Sequence, residues 1–503
     1  MKKKIFIFQQ REWHNRIGKH LAEKLKNENN DLACLTFKKS VLKKINENYK
    51  ENYELIISHD DIIENPKKYI LEKNNNIQLT QISKDLDDCN LWQIIQSARN
   101  HVKNYKDKFY YGFKQNITDE NIVDYLKALH STAENVFTNF KPDIILTPNF
   151  VSLPHIVFNL YFKKKGIKML GTADCKVAGK DIFVYDYLHK DSNFIRFLES
   201  NEEYKASDDQ NKKILEIIQN YKVEKIKKEY LFISDEYKYF PNFKKFILRF
   251  FRDSLYSLIY KNFNKIKGIG PTPDDRSFFI VIRDFITFFG NLISERFFTY
   301  DKLEQNRKFA FYPLQVQPEA SLDVLAPLFN NQIETARQIA MQLPSELTLV
   351  VKDHPNMYGR RPVSYLDKIK KTPNVKLIDF RHDGSKILSK SEILIASTGS
   401  IIMEAAILEK PCLQLGELGT TLYLPNVFKK EPNKSILDQI NEILLKKKDE
   451  KYEKKLKNYI LAGLTTGHDA EIHRLSWINN KEINNDFFYK LIKQQIQNLT
   501  KKN

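Results

Sequence analysis

Ile393-Leu-Ile-Ala-Ser-Thr-Gly-Ser-Ile-Ile-Met-Glu-Ala-Ala-Ile-Leu-Glu-Lys-Pro-Cys-Leu-Gln-Leu415 places three signals in one stretch. The apolar run Ile393 to Ala396, closed by small polar residues, predicts a buried strand. Ile401 to Leu408 has helical spacing, and Pro411-Cys-Leu-Gln-Leu returns to strand. Strand, tight turn, helix and strand in that order make a βαβ unit, whose two strands lie parallel in one sheet.

The unit repeats upstream. Phe309-Ala-Phe-Tyr-Pro-Leu-Gln predicts a strand, residues 331–341 a helix, Leu347-Thr-Leu-Val-Val-Lys a strand, Tyr365 to Lys370 a helix and Val375-Lys-Leu-Ile another strand. The first part of the chain carries the same alternation. Ile5-Phe-Ile-Phe precedes an amphipathic helix from Trp13 to Lys26, with Ile17, Leu21 and Leu25 on one face. Tyr53-Glu-Leu-Ile-Ile-Ser and Lys141-Pro-Asp-Ile-Ile-Leu predict further strands, Pro154 to Lys165 a helix, and Gly166-Ile-Lys-Met-Leu-Gly the strand after it. Between Glu199 and Glu304 the pattern turns helical, polar and aromatic, broken by Gly268-Ile-Gly-Pro-Thr-Pro. The expected fold is therefore α/β, with two Rossmann-like doubly wound domains facing a cleft. The N-terminal one spans residues 1–198, a helical linker or insertion 199–304, the C-terminal domain 305–460, and terminal helices 461–503.

Bulk properties agree with two packed cores. The chain has 503 residues, 42% of them hydrophobic and 12% aromatic, and a single core rarely keeps growing at that length. Its net charge of +18 would suit nucleic acid if the charge were clustered. Lysine is instead spread over the whole chain, and no zinc-finger, RNA-binding or basic-zipper signature is present, so no nucleic-acid partner is expected. The four cysteines, Cys34, Cys89, Cys175 and Cys412, lie far apart and point to a reducing, cytoplasmic setting rather than a disulfide framework or a zinc site. The opening apolar run is too short for a signal-peptide core, and nowhere do about 18 uninterrupted apolar residues occur, as a spanning helix needs. From Phe243 to Phe298, however, Phe, Ile and Leu alternate with Lys and Arg. That pattern suits either interdomain helices or a peripheral contact with the cytoplasmic face of the inner membrane.

In a doubly wound sheet ligands sit outside the carboxyl ends of the strands, so the chemistry belongs to the loops after Leu314, Lys352, Asp379 and Ala396. After the first lie Gln315, Gln317 and Glu319; the second strand ends at Lys352 and is followed by Asp353, His354 and Pro355, with Arg360 beyond; after the last come Ser397, Thr398, Gly399 and Ser400. Small hydroxyl residues and a glycine where a strand turns into a helix suit an anion, although a helix cap alone would use the same residues. Pro355 holds the backbone of His354 out of helix geometry, leaving an imidazole at the sheet rim able to donate a hydrogen bond or a proton to a departing phosphate. Glu404 falls one turn into the helix that follows. No Asp-X-Asp motif stands in these loops, so metal-independent chemistry without a cofactor is expected.

Taken together, Phe311-Tyr-Pro-Leu-Gln-Val-Gln-Pro-Glu-Ala-Ser, Val351-Lys-Asp-His-Pro-Asn-Met-Tyr-Gly-Arg-Arg, Pro373-Asn-Val-Lys-Leu-Ile and Ser397-Thr-Gly-Ser-Ile-Ile-Met-Glu-Ala-Ala-Ile-Leu-Glu-Lys-Pro resemble the bacterial capsule polysaccharide synthesis family, which includes transferases of Kdo carried by CMP. The likeness covers residues from about 305 to 430. A His-Pro pair followed by a serine-rich turn is also similar to bacterial sialyltransferases of GT-B type. The resemblance implies a GT-B glycosyltransferase of nucleotide sugars, inverting, that transfers a Kdo-, sialic-, pseudaminic- or legionaminic-type sugar from CMP to a growing capsule or lipopolysaccharide. It implies that His354 serves the leaving phosphate, that Ser397, Thr398 and Ser400 bind it, that Gln317 and Glu319 line the donor site, and that Glu404 meets the nucleotide sugar. A glycan or glycolipid acceptor would lie on the N-terminal domain near Arg11, His14 and Asn149. Asp60 and Asp174, with Glu12 and Asp61 beside them, are the candidates for the base that deprotonates it. Two other classes remain open on sequence: a CDP-glycerol-type glycerophosphotransferase, and a non-catalytic polysaccharide assembly or export partner.

Overall fold

A computed structural model describes residues 2–10, 13–98, 117–200, 204–222, 278–304, 306–470 and 484–500, with 247–248, 250–252, 254–255 and 258 between them. Arg11, Glu12 and the Gly268–Pro273 breaker cluster lie outside the described residues.

The first sheet is built from β1 (Lys4–Gln9), β2 (Asp31–Thr36), β3 (Leu55–Ser58), β4 (Ile144–Leu146), β5 (Lys168–Asp174) and β6 (Lys180–Val184). The second holds β7 (Phe309–Pro313), β8 (Thr348–Lys352), β9 (Val375–Ile378), β10 (Ile393–Ala396), β11 (Cys412–Gln414) and β12 (Val427–Lys429). A last short strand, β13 (His468–Asp469), returns to the first sheet. Strand order is β13-β6-β5-β4-β1-β2-β3 in the first sheet and β12-β11-β10-β7-β8-β9 in the second. All pairs are parallel except those made by β6 with β5 and β13. Each domain thus winds outward from its first strand in one direction and then, after a reversal, in the other. The two halves together have the GT-B-like architecture of two Rossmann-like domains.

Helices cover both faces of each parallel sheet, which is why strands such as β2 and β8 are buried at every position, with apolar interiors at Leu32 to Leu35 and Leu349 to Val351. Phe6, Phe8 and Phe158 stack into the core beneath β1. In the second domain Ala310, Tyr312, Leu349, Val351, Leu377, Ile393 and Ile395 alternate onto one face, closed by Ile436, Ile440 and Ile443 of the helix Ile436–Leu445.

The chain then crosses back. The helix Tyr452–Thr466 packs on the helix Asn193–Ser200 of the first domain, and the Tyr459 hydroxyl donates to the Cys175 carbonyl at 2.8 Å. Phe488, Ile492 and Ile496 of the final helix Asn485–Thr500 join the core formed by Ile5, Ile7, Ile17 and Leu21. The sequence pattern gives no hint of this return, because β13 is two residues long and the docking is wholly long-range. Between the domains Gly419 donates its N–H to the Leu188 carbonyl at 2.8 Å, and Lys190 pairs with Glu417 at 2.7 Å.

Candidate functional site

The reversal of winding in the second sheet falls between β7 and β10. At such a switch point the flanking connections leave on opposite faces, opening a crevice above the strand ends. Gln315 follows β7 and the Ser397–Ser400 turn follows β10, and the two loops touch: Gln315 Nε2 donates to the Thr398 carbonyl at 3.1 Å. Gly399 sits at φ +110°, a backbone conformation that a side chain resists, and a Cβ there would lie 3.4 Å from the Gln315 amide.

A web of buried polar groups fixes the floor of the crevice. Gln332, fully buried, accepts from the Gln315 N–H at 2.6 Å and donates to both the Gln315 carbonyl (3.1 Å) and Gln317 Oε1 (2.7 Å). From the next loop, Arg361 forms a buried ion pair with Asp353 and donates to the Gln315 carbonyl at 2.6 Å, its guanidinium lying 5.0 Å from the Tyr365 ring centroid. Burial pushes the Asp353 carboxyl up, while Arg361 holds it down. Asp353 in turn accepts the His354 backbone N–H at 2.6 Å. The loops after β7 and β8 are therefore one rigid unit.

His354 is positioned by this unit and by Pro355, which opens a single helical turn. The Asn356 N–H donates to His354 Nδ1 at 3.1 Å. With Nδ1 accepting, the neutral imidazole carries its proton on Nε2.

Other expected residues take different places. Ser397 is fully buried, and Thr398, 1% exposed, donates its hydroxyl to the Ser321 carbonyl at 3.0 Å. The half-buried Gly399 and Ser400 form the open part of the turn. Gln317 likewise braces its loop rather than lining it, since it also donates to the Asn330 carbonyl at 2.5 Å. Lys352 is buried, with Nζ 3.3 Å from the Asp353 carbonyl, and Glu319 is exposed and accepts from Ser321. Arg360 is exposed. Glu404 accepts the Ser385 hydroxyl at 2.9 Å, tying the helix Ile401–Ile407 to the helix Gly384–Lys390.

In the first sheet the reversal lies between β1 and β4. His14 does not face it. Buried at 1% exposure, His14 meets Gln9 Oε1 through Nδ1 at 2.9 Å, and burial lowers its pKa to about 4, so it is a neutral core residue. Asp60 is also internal: it accepts the Lys39 N–H at 3.1 Å and joins the connections after β2 and β3. Asp61, in the same helical turn, pairs with Lys39 at 3.5 Å. Asp174 closes on its own turn, accepting the Lys176 N–H at 2.7 Å and pairing with the Lys176 ammonium at 3.0 Å. Asn149 stays near the switch point, half-buried after β4.

The structure adds residues that sequence reasoning passed over. The Gln10 amide meets His155 Nε2 at 2.5 Å across the N-terminal switch point, and Ser152 Oγ lies 2.8 Å from His155 Nδ1. Phe37 is sandwiched between the rings of His155 and His59, with both centroids at 5.0 Å, and His59 Nε2 meets the Tyr125 hydroxyl at 2.7 Å. The available signal was positional: His59 directly follows β3, and His155 opens the helix after β4.

No family model matches the chain, and no curated protein matches it. Among solved structures, KpsC of Thermosulfurimonas dismutans, described as a beta Kdo 2,7 transferase, is 11% identical over 74% of this chain and 88% of its own, with a TM-score of 0.35. CalG4, the calicheamicin glycosyltransferase, is 12% identical over 95% and 98%, with a TM-score of 0.27. UDP-GlcNAc 2-epimerase of Methanocaldococcus jannaschii is 15% identical over 92% and 99%, also at 0.27. At these values the fold assignment rests on the strand order of the two sheets.

Proposed function

We propose that this chain is a glycosyltransferase that binds a nucleotide-activated sugar, of the CMP-linked ulosonic acid type, in the crevice of the second domain and passes the sugar to a glycan or glycolipid held against the first. The observation that carries the reading is the hydrogen bond by which the Asn356 N–H holds His354 Nδ1 at the rim of the second sheet. With Nδ1 so held, Nε2–H is set to donate at the rim of β8, beside a crevice whose far wall is the Gly399–Ser400 turn.

In an inverting transfer the acceptor hydroxyl attacks the anomeric carbon as the bond to the phosphate oxygen breaks, and negative charge develops on that phosphate. A donor placed there stabilises the transition state more than the ground state. His354 Nε2–H fills this role, with the Asp353–Arg361 pair holding the loop still. Gln315 and Ser400 offer polar contacts to the nucleotide. On the acceptor side Gln10 and Asn149 stand at the N-terminal switch point, a polar edge suited to a sugar. The CMP assignment draws on the order and spacing of the loops in residues 305–430, which resemble Kdo transferases.

Thermal stabilisation against CMP, CDP, UDP and GDP tests the donor. A ligand at a hundred times its Kd adds about 2.7 kcal/mol to the native state, so selective stabilisation by CMP is the expected result, and selective stabilisation by UDP or GDP removes the CMP assignment. His354→Ala should lower transfer from a CMP-sugar by about a hundredfold or more with the melting temperature unchanged. Near-normal turnover in that variant would sink the role given to His354.

A further inference from the structure

The helix Phe278–Arg296 buries Leu292 together with Asp284 and Glu295, yet it exposes Ile286 (63%), Phe289 (37%) and Ile293 (46%), with Phe297 (78%) just beyond its end. Steps of three, four and four put these side chains on a single stripe. The buried face is firmly seated: Glu295 accepts the Gly359 N–H and the Tyr300 hydroxyl, both at 2.9 Å. Gly359 stands at φ +70°, where a Cβ would come within 2.6 Å of Leu292. The apolar stripe is therefore presented outward by a helix that is held in place.

A second stripe lies beside it. Phe250 packs on Phe285 with ring centroids 4.3 Å apart, and the helical positions around it expose Leu248, Phe251, Leu255 and Leu258, again at steps of three and four. Arg252 and Arg296 are exposed at the edges of the two stripes, in a chain of net charge +18. Water-facing patches of this extent on a folded protein usually mark an interaction surface. Among the described residues no helix is long and apolar enough to cross a membrane, so insertion is confined to the surface.

We propose that the two stripes form one docking surface for an anionic bilayer, with the apolar side chains entering the acyl boundary and the Arg252 and Arg296 side chains at the headgroup phosphates. A two-fold contact between two copies would set like basic edges on both sides of the interface, whereas an anionic headgroup layer is complementary in sign to a chain of net charge +18. The inference is independent of the transferase reading, since it concerns only this face and lipid.

The test is flotation of the full chain with vesicles of phosphatidylcholine alone or mixed with phosphatidylglycerol, beside the variant Ile286→Ser/Phe289→Ser/Ile293→Ser/Phe297→Ser. The wild type should float with the mixed vesicles and remain behind with phosphatidylcholine alone, and added salt should release it. The variant, whose substitutions are all at exposed positions, should keep the wild-type melting temperature and lose about tenfold or more of the bound fraction. Equal flotation of variant and wild type overturns the proposal. So does a wild type that ignores the mixed vesicles, or one that light scattering shows as a dimer converted to monomer by the four substitutions without any lipid binding.

Discussion

Glu295 offers a direct test of how the exposed helix is anchored to the His354 loop. Burial, with Asp353 adding to it, raises its carboxyl from the ordinary 4.5 to about 7, against the opposing pull of the Gly359 N–H, the Tyr300 hydroxyl and Arg361. Each unit of pKa corresponds to about 1.4 kcal/mol, so ionising Glu295 in the folded protein costs about 3 kcal/mol relative to ionising it in the unfolded chain. The sign follows from the folded value being the higher. Below pH 4.5 both states are protonated and the stabilising contribution is complete; between 4.5 and 7 only the unfolded state has lost its proton, and stability falls as pH rises; above about 7 the loss is complete. Glu295→Gln copies the protonated acid, since its Oε1 accepts from Gly359 and its amide donates to the Tyr300 oxygen. Scanning fluorimetry of wild type and variant at pH 5 and pH 8 should find similar melting temperatures at the lower pH and the variant clearly higher at pH 8. Comparing the two proteins at one pH cancels every other titrating group. A variant less stable than wild type at pH 8 would mean that the carboxylate is ionised and favourable there, and the reasoning would fail.

Removing half of the Asp353–Arg361 pair should be far more damaging than removing both. Arg361→Met leaves a buried carboxylate without its cation, at a cost of about 3–5 kcal/mol, whereas Asp353→Asn/Arg361→Met should recover a large part of the lost melting temperature; a double variant no better than the single one refutes the pairing. The turn after β10 separates by burial: Thr398→Ala should lower stability by about 1 kcal/mol through its lost bond to Ser321 while leaving CMP stabilisation as in wild type, and Ser400→Ala should reduce CMP stabilisation without a stability cost. The opposite pattern would place the phosphate against the inner hydroxyls.

The elements that were legible in the sequence are those whose burial is one continuous run. Phe309–Pro313, Thr348–Lys352 and Ile393–Ala396 are covered on both faces, so each has an unbroken apolar interior and the strand announces itself. β2 escaped the same logic: Asp31-Leu-Ala-Cys-Leu-Thr is equally buried, but Ala33 and Cys34 carry little strand preference. The crossing of the chain back to the first domain was invisible for a different reason. Phe488, Ile492 and Ile496 have ordinary helical spacing, and nothing local to them states that their partner is a strand almost five hundred residues away.

The site was legible in position and not in orientation. The order of strands sufficed to bring Gln315, His354 and the Ser397–Ser400 turn to one edge of a sheet, because a doubly wound topology always delivers its loops there. Which side chains then face the crevice depends on where each strand stops, and a single residue of register exchanges inside for outside. Ser397 and Thr398 look like phosphate ligands when read as a turn and are core residues because β10 carries its buried path through them. Arg361 shows the same effect in reverse. Beside Arg360 it looks like half of a solvated basic pair, yet it lies at 1% exposure, bound to Asp353 and to the Gln315 carbonyl. A buried guanidinium needs a partner that only the tertiary fold can supply. The residue that fixes His354 is thus one whose sequence context argues most strongly for the surface.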